Sequence, residues 1–294
     1  MSGPTLVVPL LTPVTADGAP DAAAIGRLVD FVVSAGADGL FCLGSTGSFP
    51  MLGPADRTTV IRVAREAAGG RVPVWAGVGE AGTRLALERV DDACDAGADA
   101  VVTVAPYYLR VDDAGLRQHF LAVLDHSAVP VFIYNIPILT GATVTPSLLA
   151  ELAAHPRCGG LKDSSSDIAS FLELQRAVRD VPGFATFQGD ERLVAPAMFL
   201  GASGAVLGLA NLAPELCREI VDAGLAQDRE AALVAQGRLL DLFDIVGLGD
   251  FRRLVHYALS LRGVDVAEPP LPSPPLTDDA RRQVRAILHG LDLI

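Results

Sequence analysis

The sequence predicts an α/β protein, a closed (β/α)8 barrel followed by a C-terminal helical extension. Three observations predict it. Eight short apolar or β-branched runs are each followed by a longer amphipathic segment, the alternation of a parallel sheet. Eight such units is the number that closes a barrel. After Gly224 the alternation stops and only helical periodicity continues. An open doubly wound sheet is the structural alternative, but no GxGxxG follows the first strand, where a dinucleotide site needs one.

The strand runs are Leu6–Leu10, Gly39–Leu43, Val72–Ala76 and Ala100–Val104, then Val131–Tyr134, Gly159–Leu161, Phe184–Phe187 and Gly204–Leu207. Helical patterns follow at Ala22–Val33, Ala55–Ala67, Thr83–Ala96 and Asp113–His126, then at Pro146–Ala154, Asp167–Val178, Arg192–Leu200 and Pro214–Ala223. Three junctions repeat one signature before strands 2, 4 and 8: Ala35-Gly36-Ala37-Asp38, Ala96-Gly97-Ala98-Asp99 and Leu200-Gly201-Ala202-Ser203. A glycine just past a helix takes the left-handed conformation that ends it. The extension holds helical segments at Gln227–Val246, Phe251–Leu261 and Thr277–Leu288, with a Pro-rich connector, Pro269–Pro275, before the last. The expected division is a barrel domain over residues 1–224 and an extension over 225–294 that packs on it.

Charge and composition narrow the function. The formal net charge of −12 disfavours nucleic acid and anionic membrane surfaces, whose phosphates it repels. No apolar run approaches the roughly 18 residues of a membrane span, and Met1–Leu11 does not read as a signal peptide. Cys42, Cys94, Cys158 and Cys217 form no CxxC pair, which fits free thiols and a cytoplasmic location.

Of the 23 basic residues only one, Lys162, is lysine. Arginine replaces lysine wherever a solvated charge suffices, but a guanidinium cannot serve as an amine nucleophile. A sole lysine therefore points to chemistry. Lys162 follows the small apolar run Cys158-Gly159-Gly160-Leu161, where an ammonium is partly desolvated and the reactive free amine favoured. The bland alternative is a lysine that ends a strand in solvent.

Active sites of such barrels gather at the C-terminal strand ends. Those ends carry Gly44-Ser45-Thr46-Gly47, Pro106-Tyr107-Tyr108, Tyr134-Asn135, Lys162-Asp163 and Gly189-Asp190-Glu191-Arg192. Tyr134 is either a proton-transfer residue or an aromatic filling a barrel layer. Ser45 and Thr46, between glycines, offer hydroxyls and backbone N–H groups to a carboxylate, or form an ordinary turn. Tyr107 and Tyr108 also suit packing or a subunit contact. The five histidines lack metal-ligand spacing, whereas Glu80, Asp163, Asp190 and Glu191 leave a divalent-metal site open as an alternative.

Taken together, the motifs GSTGSFPML (Gly44–Leu52), APYY (Ala105–Tyr108), YNIPILTG (Tyr134–Gly141), GGLKDSSSD (Gly159–Asp167) and GDERL (Gly189–Leu193) resemble the pyruvate-dependent class I aldolases. This family includes dihydrodipicolinate synthase, N-acetylneuraminate lyase and the 2-keto-3-deoxy-sugar-acid aldolases. The resemblance runs over essentially the whole chain. It implies a TIM barrel, usually assembled as a homotetramer, that takes a keto acid and an aldehyde. No cofactor is implied beyond the covalent lysine imine. Lys162 would form that imine, Tyr134 would transfer protons, and Ser45 would link Tyr134 to Tyr108 reaching in from a neighbouring subunit. Ser45, Thr46 and Gly47 would seat the substrate carboxylate, and Val206 would lie near the methyl carbon. Gly189, Asp190 and Glu191 would meet a hydroxylated tail.

Two departures bear on the substrate. Members using a semialdehyde acid carry arginine where this chain has Leu139, so the resemblance favours cleavage of 2-keto-3-deoxy sugar acids. Ser48 replaces the glutamate usual after this glycine-rich turn. The alternatives are synthesis of 4-hydroxy-tetrahydrodipicolinate, a metal-dependent barrel lyase, and a non-catalytic pyruvate-binding homologue.

Overall fold

The eight strands close on themselves in chain order, each hydrogen-bonded in parallel to its sequence neighbour and β8 returning to β1. The computed structural model describes residues 3–267 and 272–294, so residues 1–2 and 268–271, which include the start of the Pro-rich connector, lie outside the described residues. The strands are β1 (Leu6–Pro9), β2 (Gly39–Cys42), β3 (Val74–Gly77), β4 (Ala100–Val104), β5 (Val131–Asn135), β6 (Cys158–Asp163), β7 (Ala185–Gln188) and β8 (Gly204–Val206).

Side chains alternate across each strand and build two cores. Inside the barrel lie Val7, Phe41, Trp75, Val102, Phe132 and Phe187, with Val104, Tyr134 and Val206 nearer its mouth. Trp75 stacks on Phe132 with ring centroids 4.1 Å apart, and Phe187 meets Trp75 edge-on at 5.4 Å. These rings fill the interior, so the barrel is a plug rather than a pore, with chemistry confined to its upper layer. The outward-facing set, among them Leu6, Leu40, Val101, Ile133 and Leu161, packs under the helices.

The helices are α1 (Ala22–Ser34), α2 (Pro54–Ala68), α3 (Thr83–Asp95), α4 (Asp113–His126), α5 (Pro137–Thr140), α6 (Pro146–Ala153), α7 (Ile168–Val178), α8 (Val194–Phe199), α9 (Pro214–Leu225), α10 (Arg229–Phe243), α11 (Phe251–Leu261) and α12 (Asp278–Gly290), and the longer ones bury one stripe each. In α1 (Ala22–Ser34), Ala24, Ile25, Leu28, Val29 and Val32 recur at three- and four-residue spacing and are buried. Asp21 caps that helix by accepting the Ala24 N–H at 3.0 Å. Gly36, Gly97 and Gly201 all adopt positive φ, as the junction signature predicts.

Several element boundaries differ from the sequence reading. Strand β6 ends in Lys162 and Asp163, as expected, because Tyr134 and Asn135 of β5 pair with them in register, and it extends beyond the apolar run Gly159–Leu161 on both sides. A four-residue helix, α5 (Pro137–Thr140), interrupts the β5 loop before α6 (Pro146–Ala153). The Gln227–Val246 segment is α10 (Arg229–Phe243) followed by a 3-10 stretch at Asp244–Leu248.

The extension is tied to the barrel mouth. Gln236 of α10 accepts the Ala195 N–H at 2.9 Å and donates to the Glu191 carbonyl at 2.8 Å. Helix α11 (Phe251–Leu261) brings Arg252 to Ser48. Among the described residues no helix is long and apolar enough to cross a membrane.

Candidate active site

Strand alternation turns Lys162 inward and its neighbour Asp163 outward. Lys162 is only 5% exposed. Its Nζ stands 4.0 Å from the centroid of the Tyr134 ring and 5.2 Å from that of Phe41. Phe41 in turn meets Tyr134 edge-on. The amine is thus walled by aromatic faces at the top layer of the barrel, on a level with Val104, Tyr134 and Phe187.

The outward neighbours fix that layer. Asn135 donates from Nδ2 to Asp163 at 2.6 Å and accepts the Val144 N–H at 3.0 Å. The Ser165 hydroxyl donates to the other Asp163 oxygen at 2.7 Å. Burial pushes the Asp163 carboxyl up, and the hydrogen bonds from Ser165 and Asn135 draw it back. Because both side chains are buried and bonded, this pair clamps β5 to β6 and so sets Tyr134 against Lys162.

The Tyr134 hydroxyl finds a partner the sequence reading missed. Ser164 Oγ lies 3.5 Å from it and 3.4 Å from the Gly189 carbonyl, within reach of both. The signal was present: Ser164 is two residues past Lys162, the same-face spacing of a strand. Within the single chain Tyr134 hydrogen-bonds to Ser164 rather than to Ser45.

Gly189 must be glycine. A Cβ there would stand 2.2 Å from Ser164 Oγ, 2.9 Å from the Asp163 carbonyl and 3.0 Å from Lys162 Cε. Gly189→Ala is therefore expected to displace Ser164 and crowd the lysine, lowering kcat at least tenfold, the scale of about 1–3 kcal/mol of overpacking. Steady-state rates alongside a thermal melt check this; unchanged rates in a folded variant would show that the close approach has no bearing on the chemistry.

The loop after β2 carries Ser45, Thr46 and Gly47. It begins with Leu43 at φ 60° and ends with Ser48 at φ 56°, and the Thr12 hydroxyl donates to the Gly47 carbonyl at 2.8 Å. Among the described residues neither the Ser45 nor the Thr46 hydroxyl has a protein hydrogen-bond partner. Ser45 lines a cavity of about 300 Å³ with Val104, Tyr107, Ile136, Leu139 and Arg252. Val206 is buried in the inner cluster at the end of β8. Tyr107 packs edge-on against Phe49, whereas Tyr108 adopts φ 74° and is 94% exposed, directed away from its own site.

Beyond Gly189 the two carboxylates differ. Asp190 is gripped by Arg192, from Nε at 2.9 Å and from Nη2 at 2.7 Å. Burial opposes its ionisation, but the Arg192 fork and the Ser166 hydroxyl outweigh that and hold it below the usual carboxylate range. Glu191 accepts the Leu209 N–H at 3.0 Å. Burial pushes its carboxyl up, while the Leu209 bond and the charge of Lys162 act in the opposite sense. Of the carboxylates considered for a metal, Glu80 is paired with Arg57 at 2.7 Å. No group of three or more His, Cys, Asp or Glu residues is placed to hold a metal ion among the described residues.

Comparison with known proteins agrees with the barrel fold. Residues 4–291 match the Dihydrodipicolinate synthetase family. A 4-hydroxy-tetrahydrodipicolinate synthase of Gluconacetobacter diazotrophicus is 33% identical over 288 residues, covering 98% of this chain and 97% of that protein. An uncharacterized DapA-like lyase of Halobacterium salinarum is 36% identical over 291 residues, covering 98% and 94%. Among solved structures, the prophage protein YagE of E. coli K12, a member of the dihydrodipicolinic acid synthase family in complex with pyruvate, superposes with a TM-score of 0.94. It is 32% identical, with 99% of each chain covered. The chain belongs to the dihydrodipicolinate synthetase family and is, with its relatives, an enzyme of the carbon–carbon lyase class.

Proposed function

We propose that the chain catalyses reversible aldol cleavage of a 4-hydroxy-2-keto acid, of the 2-keto-3-deoxy sugar-acid type, to pyruvate and an aldehyde. The observation that carries this reading is a single buried lysine amine facing a tyrosine at the barrel mouth. Its free amine adds to the C2 carbonyl and, with one proton taken up from solvent, water leaves, giving an iminium on Lys162. The Tyr134 oxygen, its own proton released to solvent, takes the C4 hydroxyl proton as the C3–C4 bond breaks. The bond pair enters the iminium and leaves an enamine, the aldehyde departs, and a proton returns to C3. Hydrolysis then frees pyruvate and the amine. The imine itself is the electron sink, so the steps call on no metal or organic cofactor.

Ser45, Thr46 and Gly47 would seat the carboxylate of the keto acid, and Val206 would face its methyl carbon. Gly189, Asp190 and Glu191 would border the tail, Asp190 through the Arg192 it anchors. Leu139, 58% exposed at the cavity rim, leaves its position without the arginine that members using a semialdehyde acid carry. A cytoplasmic homotetramer fits the reading, with the exposed Tyr108 reaching a neighbouring subunit. The second reading, condensation of pyruvate with aspartate semialdehyde, is favoured by the Gluconacetobacter relative, a 4-hydroxy-tetrahydrodipicolinate synthase.

Borohydride added with pyruvate is expected to leave a reduced adduct on the peptide containing Lys162, read by mass. An unmodified peptide would sink the imine. Pyruvate release from a panel of 2-keto-3-deoxy acids, set against consumption of aspartate semialdehyde, separates the two readings.

A further inference from the structure

The imine accounts for the pyruvate half of the substrate, and Gly189, Asp190 and Glu191 border the tail of the aldehyde half, which leaves its terminal group to be placed. The cavity above Val104 supplies the place. Val104 stands level with Tyr134 and Lys162 in the strand register, so this space opens from the catalytic layer itself. Its walls include Phe49, Met51, Ile136 and Leu139, and Arg252 is the one charged residue among those lining it.

Arg252 is unusually placed and unusually held. It is the second residue of α11, the electropositive end of the helix, where a cation is disfavoured. Asp250 offsets that cost. It caps the helix by accepting the Arg252 N–H at 3.0 Å, and it takes Nε at 3.1 Å and Nη2 at 2.7 Å as a fork. Arg252 in turn holds the Asp250 carboxyl down at about 2, so the pair is ionised at any working pH. Nη1 is left over. Among the described residues its hydrogen-bond contacts are long ones, 3.4 Å to Ser48 Oγ and 3.7 Å to Met51 Sδ. The guanidinium side chain is 27% exposed, locked from behind and open in front.

We infer that Arg252 is a specificity-determining residue that selects substrates whose aldehyde half ends in a carboxylate, held by Nη1 together with the Ser48 hydroxyl. A carboxylate makes a charge-assisted hydrogen bond there, about twice as strong as that from a neutral hydroxyl. The apolar walls lower the local dielectric and strengthen it further. Among the described residues no carboxylate lines the cavity to oppose the ligand. Ser48 is part of the same device, since a glutamate at that position would place its own charge on Nη1.

The inference deepens the imine reading and rests on it. The test is competition for Lys162 with carbon-13-labelled pyruvate, whose borohydride adduct is distinguished by mass from any formed by the competitor: two 4-hydroxy-2-keto acids of equal chain length, one ended by a carboxylate and one by a primary alcohol, compete against that labelled trapping. The carboxylate-ended acid is expected to halve trapping at a concentration at least about tenfold lower. In Arg252→Leu that ratio is expected to fall to near one. Ser48→Glu leaves the Arg252–Asp250 pair intact and is expected to collapse the ratio likewise, so it decides the matter if the leucine variant does not fold. A wild-type ratio near one, or an unchanged ratio in a folded variant, overturns the role of Arg252 while leaving the imine standing. Absence of any pyruvate adduct on wild-type Lys162 defeats the imine reading instead.

Discussion

Lys162→Arg is expected to lower turnover on the order of 10⁴-fold or more while leaving the protein folded, because the bond that makes the electron sink can no longer form. The substitution is chosen to separate charge from nucleophilicity. A guanidinium keeps the positive charge and a similar reach, and it stacks on aromatic faces at least as well as an ammonium. The rings of Tyr134 and Phe41 that flank Nζ therefore give it a tolerable seat. What it lacks is a lone pair available for attack. The sequence makes this a clean test, since Lys162 is the only lysine in the chain and no neighbouring lysine can take over. A thermal melt near the wild-type midpoint, together with loss of both turnover and the borohydride adduct, is the expected outcome. An arginine variant that keeps a tenth of the activity would mean that position 162 acts through charge alone, and the covalent mechanism would fall.

The same lysine shows how far the sequence could be read. The alternation of short apolar runs with amphipathic segments was visible because a buried parallel strand and a surface helix have different periods. The active face followed from the barrel, which gathers strand ends whatever their spacing in the chain. Lys162 and Asp163 were legible as the end of β6, but the burial of Asp163 was not. Only the register shows Asp163 meeting Asn135 across β5, and that pairing makes its burial affordable. Ser164 was legible in principle from its two-residue offset from Lys162, but it sits inside a serine run that reads as a turn. Arg252 carried no local signal at all. Ninety positions beyond Lys162, on a helix outside the barrel, it reaches the cavity only because the extension folds back over the mouth. Tyr108 shows the opposite limit: its motif was plain, yet in one chain the side chain points into solvent, so its role depends on a surface that a single chain does not contain.

Tyr134→Phe is expected to preserve imine formation and to lower turnover on the order of 10² or more, the usual worth of a positioned proton carrier. Phenylalanine keeps the ring 4.0 Å from Nζ and the edge contact with Phe41, so the packing around the amine survives. Only the hydroxyl goes, and with it the contact to Ser164 at 3.5 Å. Loss confined to kcat, with KM changed little, marks an interaction made in the transition state rather than in binding. Borohydride trapping of pyruvate supplies the internal control, because attack on C2 does not require a proton to leave a C4 hydroxyl. If trapping and turnover fell together, Tyr134 would be shaping the pocket in which the imine forms. If turnover stayed within about threefold of wild type, less than a hydrogen bond's worth, the proton would have to travel by another route. The hydroxyls nearest to hand for that route are Ser164 beside Tyr134 and Ser45 on the cavity wall, and Ser164→Ala in the phenylalanine background would distinguish them.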